Sequence, residues 1–540
     1  MNYSLQNFVE YFKKRSYPIS FILFALWMCI GIFPLVCYET DSQEVILGCD
    51  ILYYNGWKFP PTYCYEYRMQ PLTVITVATL RHILSFLTCE QIYCLLTAIS
   101  SFIFLIGNIE FAQHITRYSR TKILIAAILL PEMYAITMYP NSAIPAAACF
   151  IWAFINIIKK RHWAAILLMC IAPLFRVDVV IVYPTILPLL IFAGKTWKKS
   201  ICISSIYCVI IISIGLLLFH FCRADVLSTF EGYEKWNEEI GIETVMVAIF
   251  GFYSITYFIL LPIGIIRIGK QKLWKELFLV LQPIILLHLI YSSMGCAAKH
   301  YLYIAPFVII IGTRACSWLY YMAQKKMWIK YFILLYIALV LIVSVRINSP
   351  NSPWRNKDIA YTGTLVTTLA SANISSYNLS IGIGAGQLIP TMDEKMLASG
   401  QLFYSWHIHY YKKELNVSRK KLKKSIDSLT TSDIVTTDWG ERAPILSKYL
   451  REHNHVKYNP DNKDFRISNA NRSLTIRFAT IKYDNEDNYE KEIKKYSKNL
   501  NKENLYVIAG SPRRQSYLDS MSKRTNVIKV AEMVYKINNM

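Results

Sequence analysis

Apolar stretches alternate with short basic clusters from Ile19 to Val345, and residues 347–540 are mostly polar. A helix needs roughly 20 apolar residues to cross a bilayer, or fewer where the span is short or broken. The apolar runs predict eleven spans, at 19–37, 91–113, 123–139, 142–158, 163–175, 178–194, 200–221, 245–266, 277–294, 301–321 and 330–346. Basic residues punctuate them. They are Lys13, Lys14 and Arg15; Arg117, Arg120 and Lys122; Lys159, Lys160 and Arg161; Lys195, Lys198 and Lys199; Arg267, Lys270, Lys272 and Lys275; and Lys325, Lys326 and Lys330. Placing every cluster in the cytoplasm satisfies the positive-inside rule. An odd number of spans then leaves the N-terminus inside and the tail outside. The run 71–88 is apolar but interrupted by Arg81 and His82, so it reads as an interfacial helix on the outer surface. Were it to cross, the basic clusters would lie outside.

The first span follows three basic residues, as a signal peptide would. No small-residue cleavage site follows Leu35-Val36-Cys37, so a retained helix is expected. Prolines at 131, 140, 145, 173, 184 and 188 interrupt the third to sixth spans. Such breaks are tolerated where the backbone lines a protein cavity, and ordinary kinking is the plainer alternative.

In the tail, strand-like runs at 379–383, 434–437, 474–481, 505–508 and 527–530 alternate with helical patterns near 415–429, 444–452, 489–500 and 515–523. The expected fold class is therefore an α-helical polytopic membrane domain over 1–346 plus a small extracytoplasmic α/β domain over 347–540. The two join through a linker with two prolines, Asn348–Pro353. The run IGIGAG at 381–386 lacks the GxGxxG spacing of a dinucleotide site and reads as a strand-ending turn.

Composition agrees with a membrane location: 54% of residues are apolar and 17% charged, with a mean hydropathy of +0.30. Soluble proteins are about 25% charged. The formal charge of +22 does not imply nucleic acid. Half of it belongs to the tail, where 30 Lys+Arg face 19 Asp+Glu, and much of the rest sits in short loops. Topology and anionic lipid account for these residues more simply. All 13 cysteines precede residue 317, with no CxxC pair or Cys/His metal spacing. Cys49 and Cys64 share one outer segment and could pair there.

That segment, 38–71, is where chemistry is expected. It gathers Glu39, Asp41, Glu44, Asp50 and Glu66 beside aromatics and Arg68. Carboxylates at a membrane surface suit acid/base work or cation binding; solvated acids balancing lipid headgroups are the plainer alternative. Arg176 and Asp178 lie between two half-length apolar runs, and Lys299 and His300 precede the tenth span. Charges there are costly unless paired or functional. For Arg176 and Asp178 a mutual salt bridge and a functional role stand side by side. For Lys299 and His300 the alternative is a snorkelling pair at the interface. With Arg68, these cations could surround a phosphate.

The order Asp41, Asn55-Gly56, Pro60-Pro61, Glu66-Tyr67-Arg68 and Pro71-Leu72 resembles the opening of the GT-C integral membrane glycosyltransferases. This superfamily includes protein O-mannosyltransferases and bacterial lipid A aminoarabinose transferases. Phe175-Arg176-Val177-Asp178 and Lys299-His300-Tyr301-Leu302 with Pro306 are similar to later landmarks. Many relatives carry adjacent acids, whereas Asp41 stands between Thr40 and Ser42, and Tyr67 separates Glu66 from Arg68.

The resemblance implies a sugar donor on a polyprenyl phosphate and an extracytoplasmic glycan, lipid or protein acceptor. It implies a multi-pass protein of the bacterial inner membrane with its active site outside, surrounded by membrane lipids. Asp41 is then the candidate base, with Glu39, Glu44 and Glu66 as further acids. Arg68, Arg176, Lys299 and His300 are candidates for the donor phosphate. No metal ligand set is assigned, and a divalent cation is left open as cofactor. Alternatives are an O-antigen ligase or polymerase, a flippase of lipid-linked sugars, and a non-catalytic scaffold. A transporter is expected to show paired repeats with midplane charges, and the sequence has no internal repeat.

Overall fold

A computed structural model describes residues 40–54, 70–130, 133, 141–222, 242–294, 298–348, 361–364, 378–383, 433–437, 446–447, 449–452, 455–459, 464–469, 472–478, 487, 489–491, 493–494, 505–509, 512–531 and 534–538. The first expected span, at 19–37, lies outside the described residues. The described residues fall into two compact units. The first runs from residue 94 to the strand Asn378–Ile383. The second holds 40–54, 72–93 and the segments beyond 412.

Apolar run length dictates the long helices. Among the described residues, Cys89–Thr116, Trp197–Phe221, Trp274–Tyr291 and Tyr301–Lys325 are long and apolar enough to cross a membrane. The chain is a multi-pass membrane protein. Ala143–Ile158 and His162–Phe175 are shorter. Fourteen residues rise only about 21 Å, less than the ~30 Å hydrocarbon core.

The prolines explain local departures. Pro145 sits in the first turn of its helix, where its missing N–H costs no hydrogen bond. Pro184 lies inside a nine-residue 3-10 helix, Val177–Thr185, which leads into the short α-helix Ile186–Phe192. The segment expected as one span at 178–194 is thus built from two kinds of helix.

Several basic clusters form tight helix-ending turns. Arg117, Lys160, Lys272 and Gly194 adopt φ of 60°, 59°, 53° and 89°. The amides of Arg161, Lys195 and Leu273 reach back to the carbonyls of Asn156, Leu190 and Ile268, five residues earlier. This six-to-one bond satisfies a carbonyl that the helix end would otherwise orphan. Partly buried ion pairs brace the helices near these turns: Arg120 to Glu110 at 3.0 Å, and Arg314 to Glu276 at 2.6 Å.

Helix Ile242–Lys270 packs against Ala305–Lys325 through two glycines. A Cβ on Gly264 would run into the backbone carbonyl and side chain of Ile311, and one on Gly312 would meet the Tyr257 hydroxyl at 2.6 Å. Small residues let membrane helices approach closely. Gly264→Ala is therefore expected to cost about 1–3 kcal/mol and to lower the melting midpoint in detergent. Gly269→Ala, which meets nothing within 4 Å, should leave it unchanged.

Helix Met327–Ile342 stops before the predicted end of its span, because Val343–Asn348 becomes strand β1. Its VSVRIN sequence alternates β-branched and polar residues, the period of a strand. β1 pairs antiparallel with β2 (Tyr361–Thr364) and β3 (Asn378–Ile383).

In the second unit, part of the expected 38–71 loop is helix. Thr40–Tyr54 has no proline, and residues 42–52 are buried on every side. Pro71–Ile83 is the helix expected there. Its 13 residues rise about 20 Å, too short to cross, with Val74, Val77 and Ala78 buried and His82 exposed.

Besides 379–383, which is β3, the other four tail strands expected from sequence appear in a seven-stranded sheet, and three more join them there. The order is β5-β6-β7-β4-β8-β10-β9, from β4 (Asp433–Thr437), β5 (His455–Asn459), β6 (Asp464–Asn469), β7 (Arg472–Phe478), β8 (Leu505–Ile508), β9 (Val527–Ala531) and β10 (Val534–Ile537). β4 runs parallel to β7 and β8; the remaining pairings are antiparallel. Leu505, Val507, Leu518, Met521, Tyr535 and Ile537 fill the core against Tyr489 and Ile493.

Candidate functional site

Two clusters of buried polar groups stand out, one in each unit. In the first unit, Arg176 caps the 3-10 helix Val177–Thr185 in an extended conformation. Its Nε donates to Asp178 Oδ2 at 2.8 Å, and both side chains are nearly inaccessible, at 6% and 4%. The other Asp178 oxygen accepts from the Tyr303 hydroxyl at 2.6 Å. Asp178 thus uses both oxygens in charge-assisted hydrogen bonds, which offset the cost of burying its charge.

Tyr303 comes from a second 3-10 helix, Ala298–Ile304, which carries Lys299 and His300. That helix is anchored by Tyr301, Leu302, Tyr303 and Ile304, each at 1% exposure or less. Tyr301 lies against His288 and Tyr291, with ring centroids 5.0 and 5.7 Å apart. His288 Nδ1 lies 2.7 Å from its own helix at the Ile284 carbonyl.

The first 3-10 helix is pinned as firmly. Tyr183 donates to the Met169 carbonyl at 2.6 Å, and Thr185 donates to Gln282 at 3.0 Å. Gln282 lies beside Leu281, Ile285 and Leu289 in an open apolar groove of about 540 Å³ on the 274–294 helix. The Tyr303–Asp178 hydrogen bond thus joins the 3-10 segment capped by Arg176 to the one that carries Lys299 and His300. The side chains of Lys299 and His300 are not among the described ones.

In the second unit, the 40–54 helix carries positions 41, 44 and 50. Glu44 and Asp50 are each 1% exposed. Asp50 Oδ2 accepts from Nε and Nη2 of Arg451, at 3.1 and 2.9 Å. Burial works against the charge on Arg451, yet Asp50 and then Glu90 outweigh it and hold its pKa above the usual arginine value. Burial, then Asp50, also pushes the Tyr54 phenol upward. Arg81 and His82 of the 71–83 helix pack on the Tyr53 ring, at 5.1 and 4.5 Å.

Asp41 lies in the first turn of the 40–54 helix, and its side chain is not among the described ones. Glu39, Glu66, Arg68 and Cys64 lie outside the described residues. Sequence reasoning singled out Arg176 and Asp178 but missed Tyr303, whose only signal is its closeness to Lys299-His300. It also missed Arg451, one of many basic tail residues. Among the described residues, no three or more His, Cys, Asp or Glu side chains gather as a metal site.

No protein-family model matches the chain, and no curated protein matches it in sequence. Solved structures do resemble it. ArnT from Cupriavidus metallidurans bound to undecaprenyl phosphate superposes with a TM-score of 0.54 at 11% identity, over 97% of this chain and 98% of that one. The same protein in the apo state gives 0.53 and 13%, over 97% of each chain. The GT-C resemblance read from the sequence landmarks is borne out at the level of the fold, which is similar to that of ArnT in an alignment covering 97% of the chain.

Proposed function

We propose that this protein is a membrane glycosyltransferase that moves a sugar from a polyprenyl-phosphate donor to an extracytoplasmic glycan, lipid or protein acceptor. The observation that carries this reading is the fold likeness, end to end, to a protein solved with undecaprenyl phosphate. The buried Arg176–Asp178–Tyr303 cluster and the acid-bearing 40–54 helix support it.

The chemistry is a displacement at the anomeric carbon. An acceptor hydroxyl oxygen attacks that carbon while its proton passes to a carboxylate; Asp41 is the candidate base. The bond from carbon to phosphate oxygen breaks, and the electron pair stays on the oxygen. The phosphodiester thereby becomes a monoester and gains about one negative charge. Cations stabilise that charge through hydrogen bonds that strengthen as it develops. Arg68, Arg176, Lys299 and His300 take this role. Glu39, Glu44 and Glu66 orient the cations or the acceptor. The proton leaves Asp41 for solvent after transfer.

In this reading residues 1–346 form the transferase domain and 347–540 an extracytoplasmic domain. The N-terminus is cytoplasmic, the active site lies outside, and the membrane is the bacterial inner membrane. The full-length protein in nanodiscs, given a panel of undecaprenyl-phosphate sugars and native membrane extract, is expected to release free undecaprenyl phosphate in a sugar-dependent way. Movement of labelled lipid-linked sugar across liposomes without release would establish the flippase instead.

A further inference from the structure

The 40–54 helix needs no ion pair to be buried. Val45, Ile46, Leu47, Ile51 and Leu52 are each at most 2% exposed and supply its packing. Yet Asp50 sits inside that apolar surround and is gripped by two donors of Arg451, 401 residues later in the chain. Arg451 follows Tyr449 and Leu450, which are buried at 0% and 2% and fix its backbone. Cys89 also hydrogen-bonds to Asp50, and Glu90 lies close enough to act on Arg451. Three separate segments thus meet at one carboxylate.

Asp50 is 1% exposed and Arg451 30%, so the pair is half-buried; such a pair adds little net stability over apolar residues of the same size, and its best-attested use is to fix register. The geometry suits that use. A slip of one residue along a helix turns it by about 100° and shifts it by about 1.5 Å. Nine residues separate positions 41 and 50, which places them on opposite faces. A misplacement of about 1 Å at a reacting group can cost on the order of 10²-fold in rate.

We infer that Arg451 is a positioning residue: by holding Asp50 from behind, it sets the rotation and height of the 40–54 helix and so the place of the carboxylate at position 41. The inference rests on the transferase reading for its kinetic arm only.

The test uses full-length protein in nanodiscs and the double variant Asp50→Leu/Arg451→Met, which removes both charges and keeps volume. We expect a wild-type-like melting midpoint, a kcat about 100-fold lower, and a donor KM within about threefold. Amide exchange within 40–54 should rise at least about tenfold, with the rest of the chain unchanged. Arg451→Lys keeps the charge but loses the two-pronged grip, and should lower kcat about tenfold; it serves if the double variant does not fold. Wild-type kcat and unchanged exchange in the double variant would overturn the inference, as would a uniform rise in exchange across the chain. If no donor is turned over by wild type, the transferase reading fails, and exchange at 40–54 still decides the positioning role.

Discussion

Asp41→Asn is expected to reduce undecaprenyl phosphate release by about 10²–10⁴-fold, the usual contribution of a general base. The substitution is nearly isosteric and removes only the ability to take a proton. Position 41 lies in the first turn of the 40–54 helix, where losing the carboxylate's attraction to the helix dipole costs only about 0.3–1 kcal/mol. The melting midpoint should therefore stay close to wild type, and the donor KM should change little. A loss in kcat alone places the base in the first outer segment. Release at the wild-type rate from a folded Asp41→Asn protein would move the base to another acid. Glu66→Gln is then the next variant. Glu44, with 1% exposure, is a poorer site for proton exchange with solvent.

The helix at 40–54 shows where sequence reading reached its limit. Amphipathic helices announce themselves by a polar face, but this one is buried all round. Its Ser42, Gln43, Glu44 and Asp50 mark no solvated side, so the stretch reads as an acidic loop. β1 was hidden in a related way. VSVRIN follows directly on an unbroken apolar run, and its alternation over only six residues is too short to separate a strand from a helix end. The 3-10 segment 177–185 reads as helix because the apolar run after Asp178 is continuous; only Pro184 hints otherwise.

What was legible had strong local causes. Apolar length fixed most helices, the basic clusters fell at several of their turns, and alternation marked the tail strands. The order and spacing of the residues that resemble GT-C landmarks pointed toward the fold likeness to ArnT. The Asp50–Arg451 pair was out of reach in principle: nothing in a single sequence links a carboxylate to one arginine 401 residues away.

The second large effect is expected at Arg176. Removing its guanidinium leaves Asp178, 4% exposed, with Tyr303 as its remaining described donor. A buried carboxylate stripped of its cation costs about 3–5 kcal/mol, so Arg176→Ala should show a sharply lower melting midpoint and poor yield. That result alone would not separate packing from chemistry. Arg176→Met/Asp178→Leu does so, because removing both charges spares the unpaired carboxylate and the fold should recover. If Arg176 also holds the departing phosphate, the recovered protein keeps its melting midpoint and loses about 10²–10³-fold in kcat, the scale of one lost transition-state donor. A folded double variant that releases undecaprenyl phosphate at the wild-type rate would assign Arg176 to helix packing alone. The phosphate would then fall to Arg68, Lys299 and His300.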